Sequence, residues 1–276
     1  MLSPLTHWLS PKRRGRFFVA LLLCAAVFLI GAAQAAEIRV VSSGGFAAAY
    51  RALAPEFERA TGNTLITDWG PSMGQTPQAV PNRLTRSEPI DVVIMVGYAL
   101  DDLVKEGKVD GNTRQELARS GIGVAVKQGS PKPDISTVDA VRHALLNAKS
   151  IAYSDSASGV YIQDQMFKRL GIEDQVKGKA HMIPAVPVGE IVARGEAELG
   201  FQQISELKPI KGIDIVGPLP SELQLYTIFS AGVVANSGQP RAARSLIEFL
   251  ASPAAADAII ASGMEPITNQ NSSGRK

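Results

Sequence analysis

The sequence predicts an α/β protein of two lobes, each a mostly parallel sheet flanked by helices. Short β-branched runs alternate with stretches of helical periodicity, and the alternation restarts after a Pro-rich connection around Pro131 and Pro133. Strand candidates such as Val92–Val96 are apolar throughout, as strands covered on both faces are.

The chain opens with Lys12, Arg13, Arg14 and Arg16 before an apolar run from Phe17 to Ala33, and Ala33-Gln34-Ala35 supplies small residues for cleavage. A basic segment, a short apolar stretch and a small-residue site form the pattern of a secretory signal peptide, so residues 1–35 are expected to be removed and the product exported to the periplasm. Removing those four basic residues, with no acidic ones, turns the formal charge of +2 into −2. The basic balance thus belongs to the leader, and no clustered basic face points to nucleic acid. Cys24, the single cysteine, lies inside the apolar run, leaving the exported chain without a disulfide, a thiolate nucleophile or a cysteine metal site.

From Ala36 onward the elements follow in order. Ile38–Val41 reads as a strand and Ser42-Ser43-Gly44-Gly45 as a turn. A helix over 46–61 carries Phe46, Ala49, Leu53 and Phe57 on one face and stops at Gly62. Thr64–Thr67 is a strand, followed by the loop 69–74 and a helix ending near Thr85. Val92–Val96 is a buried strand, 100–106 a short helix and 121–126 a further strand. In the second unit 138–147 is helical, 150–153 a strand, 154–159 a polar turn and 160–170 a helix. Pro187 precedes a helix through Arg194, with strands at 197–201 and 213–216. The strand 226–235 and helices at 240–250 and 253–262 complete the pattern before a polar tail expected to lack order.

Candidate chemistry sits in turns joining a strand to a helix, where free amides and the helix dipole favour an anion. Three are rich in Ser and Gly: 42–45, 70–74 and 154–159. For any one turn, capping of the following helix is the more common use of such hydroxyls, and it is the three together that favour a ligand. His143 and His181 have no metal-ligand spacing, and there is no phosphate loop, dinucleotide fingerprint or nucleophile elbow, so no cofactor is implied.

Several segments carry a resemblance: 57–62 (FERATG), 89–92 (PIDV), 192–201 (VARGEAELGF) and 249–253 (FLASP). In that order and spacing they resemble the molybdate-binding group of periplasmic type II solute-binding proteins. The resemblance covers nearly the whole exported chain. It implies two lobes joined by two crossing strands near 120–126 and 226–232 that serve as a hinge, with lobe 1 at 36–122 plus 227–276 and lobe 2 at 123–226. A small anion is then held between them and delivered to the permease of an ABC importer by a monomeric protein. Carried over by position, Ser72 matches a serine ligand, the turn of Ser156, Ser158 and Gly159 a backbone-amide segment, and Val188 a further amide donor. Gly45 stands where a ligand serine is expected, with Ser43 as a neighbour able to substitute, and Gln203 where a tyrosine hydroxyl is expected. Tyr98 replaces a smaller residue. The pocket is therefore expected to take a different or larger anion than molybdate. Periplasmic aconitate isomerases resemble the same group, and that alternative requires a base, for which Asp155, Tyr98 and Tyr161 are the candidates.

Overall fold

The computed structural model describes residues 35–267, so the leader and the polar tail lie outside the described residues. Residues 36–267 form one compact unit built on two sheets. Among the described residues the first sheet has six strands and the second five.

In the first sheet, β1 (Glu37–Ser42) pairs in parallel with β2 (Thr64–Trp69) and β3 (Val92–Val96). Strand β10 (Thr227–Val233) runs antiparallel between β3 and β4 (Gln115–Ser120), and β11 (Glu265–Pro266) borders β4. The second sheet contains β5 (Ile122–Lys127), β6 (Ile151–Ser154), β7 (Ala180–Ile183), β8 (Leu199–Gln203) and β9 (Ile213–Pro218). Its β6 is parallel to β7 and β8, while β5 is antiparallel to β8 and β9. The two-sheet α/β architecture is as expected, but each sheet is mixed. Parallel pairs arise where a helix carries the chain back, and antiparallel pairs where β4, β5, β9 and β10 pass between the sheets.

Helix α1 (Gly44–Thr61) begins two residues earlier than its periodicity suggests, so Gly44 and Gly45 belong to its first turn. Its buried face, with Phe46, Ala49, Leu53 and Phe57, belongs to the same apolar core as Ile38, Val40, Val92 and Ile94 of the sheet. Gly62, at φ 72°, ends the helix by donating its N–H to the Glu58 carbonyl, a left-handed position that glycine adopts without strain. Helix α2 (Val80–Thr85) is shorter than expected, α3 (Gly97–Lys105) follows β3 directly, and α4 (Val138–Asn147) lies in the second unit. Helix α5 (Ala157–Tyr161) starts inside what reads as a turn and continues through a π-helical segment, Ile162–Met166, into Phe167–Arg169. It is followed by α6 (Glu173–Val176), α7 (Val188–Arg194), α8 (Ile204–Leu207), α9 (Pro240–Leu250) and α10 (Ala256–Ala261).

The chain passes between the sheets at Gly121, so Ile122 already belongs to the second, and again between β9 and β10. Gln224 joins the two passages. Its Oε1 accepts from Ile122 N–H at 2.7 Å and its Nε2 donates to the Ile122 carbonyl at 3.0 Å. No helix among the described residues is long and apolar enough to cross a membrane.

Candidate functional site

The carboxyl ends of β1, β3, β6 and β8 and the loops after them surround a cavity of about 400 Å³. The first sheet contributes Ser43, Gly45, Ser72, Thr76 and Phe229, among others. The second contributes Ser154, Asp155, Ser156, Gln202, Gln203 and Glu206. This is the size of small-ligand cavities and the expected end of an open α/β sheet.

The hydroxyls are disposed for something other than helix capping. Ser43 and Ser156 occupy the N-cap positions of α1 and α5, yet neither side chain bonds to its helix. Ser43 Oγ is screened from solvent and finds no partner among the described residues, as does Thr76 Oγ1. Ser72 is 1% exposed and accepts the N–H of Val96, the last residue of β3, at 3.0 Å, which leaves its own hydroxyl hydrogen free to donate.

The position expected to hold a ligand serine is closed to any side chain: a Cβ on Gly45 would run into the ring of Phe229, which comes from β10 and forms part of the cavity floor. An aromatic ring thus fills the space a hydroxyl would need. Gln203 lines the cavity, but its amide is used within the fold. With nitrogen and oxygen assigned from the bonding network, it donates to the Ser120 and Gly121 carbonyls and accepts from Thr227 Oγ1.

Four expected site residues stand outside the cavity lining. Tyr98 is 54% exposed and turns its hydroxyl to Met73 Sδ at 3.5 Å; burial of part of the ring raises its pKa. Ser158 is fully buried, sharing a hydrogen bond of 3.0 Å with Ser154 Oγ. Gly159 is held against the Ser154 carbonyl, where a Cβ has no room, so it serves the tight entry into α5. Val188 donates its N–H to Gln202 Oε1 at 2.8 Å, so that amide is already satisfied by a side chain. Tyr161, a candidate base, is buried and donates its hydroxyl to the Leu223 carbonyl at 2.8 Å. His143 and His181 are exposed, and no group of metal-ligating side chains occurs among the described residues.

The ionisable residue that sequence reasoning missed is Glu206. It projects from α8, a single turn after β8, and its carboxyl rests against Gly44, where a side chain would collide with it. A path to it remains open from the cavity, but protein packs closely around it. Burial pushes its pKa up to about 7, opposed by a hydrogen bond from Gln202 and assisted by the charge of Asp155. Because Gln202 Oε1 is committed to Val188, its NH₂ group is left to face Glu206. Asp155 and Glu206 are the ionisable side chains of the lining, which contains no Lys, Arg or His. An anion here must be held by hydroxyls, backbone amides and the positive end of α1.

A protein of a Pseudomonas species described as an aconitate isomerase is 52% identical over 249 residues, covering 90% of this chain and 95% of its own. The molybdate-binding protein of Azotobacter vinelandii is 28% identical over 250 residues, covering 86% of this chain and 93% of its own. Among solved structures, the substrate-binding domain of a putative molybdenum ABC transporter from Clostridium difficile superposes with a TM-score of 0.64 at 19% identity, over 84% of this chain and 100% of its own, a likeness of fold. Residues 38–265 match one family across both sheets and the cavity between them, and the chain belongs to that family, the bacterial extracellular solute-binding proteins.

Proposed function

We propose that this protein is a periplasmic isomerase that captures a small unsaturated polycarboxylate of the aconitate class between two lobes and moves a proton along its carbon skeleton. The observation that carries the reading is Glu206, a carboxylate inside the cavity whose pKa of about 7 matches that of a general base at neutral pH. The relative described as an aconitate isomerase, 52% identical over 95% of its length, supports the substrate class.

The chemistry needs one proton acceptor and no redox partner. In aconitate a CH₂ group lies between a carboxylate and a carbon–carbon double bond. Glu206 takes one hydrogen from it as a proton, and the electron pair left behind spreads over three carbons and the attached carboxylates. Returning the proton to the former vinylic carbon shifts the double bond, and rotation while its character is shared sets the new geometry. Serine hydroxyls and the amides opening α1 stabilise carboxylate charge throughout, and neutral donors in a confined site bind strongly.

The test is conversion of cis- to trans-aconitate by the purified protein, followed by proton NMR in D₂O. We expect deuterium to enter the CH₂ position, and Glu206→Gln to lower turnover by about a hundredfold to ten-thousandfold while trans-aconitate still raises its melting temperature. Turnover by Glu206→Gln at the wild-type rate refutes this role for the residue. The free hydroxyls of Ser43 and Thr76 favour a second reading, capture of a small anion for the permease of an ABC importer. Under that reading ligands stabilise the protein without being converted, and a panel of molybdate, sulfate and di- and tricarboxylates identifies the cargo.

A further inference from the structure

Two adjacent glycines, Gly44 and Gly45, open α1, and each faces a side chain from far away in the chain. The three nearest atoms that a Cβ on Gly45 would meet belong to the ring of Phe229. Those that a Cβ on Gly44 would meet all belong to Glu206, with the carboxyl oxygen Oε1 first. Phe229 is buried on β10 and held there, whereas Glu206 offers only the end of a flexible side chain. A methyl group at position 44 therefore moves the carboxyl and leaves the fold in place. Nothing in the backbone calls for glycine at this position. Gly44 does not have a positive φ, it lies in an ordinary α-helix, and alanine favours a helix over glycine. What a side chain would take away is the space that Glu206 Oε1 occupies.

We infer that Gly44 is a positioning residue for the proposed isomerisation: by carrying no side chain it lets the Glu206 carboxyl rest against the first turn of α1, inside the cavity that both residues line. This rests on the isomerase reading. The contact joins the two sheets, since α1 follows β1 of the first and α8 follows β8 of the second. Helix α8 is a single turn and gives a long side chain little support of its own, so the place of the carboxyl is set by an element of the other sheet. A base acts only within hydrogen-bond reach of the proton that it removes. With a Cβ at position 44, Oε1 has to retreat by about 1 Å to reach ordinary contact, a misplacement large enough to cost about a hundredfold in rate.

The test is Gly44→Ala in the full chain, with Glu206→Ala and the double variant alongside. We expect kcat for cis-aconitate to fall about a hundredfold with KM within about threefold of wild type, because the fault lies in placing the base and not in holding substrate. Melting reads the same contact without turnover. In the Glu206→Ala background, Gly44→Ala is expected to raise the ligand-free melting temperature by about 2–4 °C more than it does in the wild type, since no carboxyl has to be displaced there. That non-additivity supports the placing of Glu206 by Gly44 even where aconitate is not converted, which separates it from the isomerase reading. Equal shifts in the two backgrounds, or an unchanged kcat where the wild type does turn over, overturn the inference. Glu206→Asp draws the carboxyl back from α1 with Gly44 intact. Its kcat should fall too, and adding Gly44→Ala to it should cost less than about threefold more. A full second loss would show that the substitution at Gly44 acts on something other than Glu206, which also overturns the inference.

Discussion

At residue scale, Ser72 shows how a cavity-facing hydroxyl and a structural one become the same atom. Its oxygen takes the buried Val96 N–H and its hydrogen remains free toward the cavity. Ser72→Ala is therefore expected to act twice. Ligand-free melting falls, reflecting about 1–2 kcal/mol for an unpaired buried amide, and calorimetry shows weaker ligand binding. Weaker binding with unchanged ligand-free melting would show that Val96 finds another partner. The serines of the site were legible in the sequence because strand, small-residue turn and helix announce themselves locally. Glu206 was not, because nothing local distinguishes it from a surface glutamate. Its meaning comes from Gly44, far away in the chain, and from a cavity assembled by both sheets. Gly45 was legible as a departure but not as a cause, since only the structure brings Phe229 against it.

At the scale of elements, apolar strands such as β3 were read directly, whereas β4 and β7 were not. Strand β4, QELARS, lacks an apolar run. Its outward charges are balanced in three dimensions, with Arg119 bonded to Glu265 on β11 and set 4.7 Å over the ring of Tyr226. Helix α8 is too short to show periodicity, yet it positions the proposed base. The passages between the sheets depend on single side chains. Gln224→Leu removes the partner of the Ile122 N–H and one of the two donors to its carbonyl, the other being Leu219 N–H, and we expect a loss of about 1–3 kcal/mol in urea unfolding together with faster hydrogen exchange at the Ile122 amide. Global destabilisation with that amide still protected would place the role of Gln224 elsewhere.

For the whole molecule, Glu206 makes stability depend on pH in a stated direction. Its folded pKa of about 7 lies above the ordinary carboxyl value of 4.5, so the folded state holds this proton more tightly than the unfolded state does. Its stabilising contribution is complete below about pH 4.5 and is lost as pH rises through 7. Glu206→Gln should therefore melt above the wild type at pH 8, by the equivalent of about 1–3 kcal/mol after allowing for its access to the cavity, and alongside it near pH 4. A constant difference across that range would remove the pKa argument for Glu206. The molecule thus gives up stability at the position where chemistry is proposed. The amide links at the passages carry a temporal consequence as well. A cargo carrier can wait for a membrane partner to prise it apart, but a catalyst must reopen unaided after every cycle. Gln203 and Gln224 would then act as a clock on product escape, and throughput should slow in viscous solvent even where the proton moves quickly.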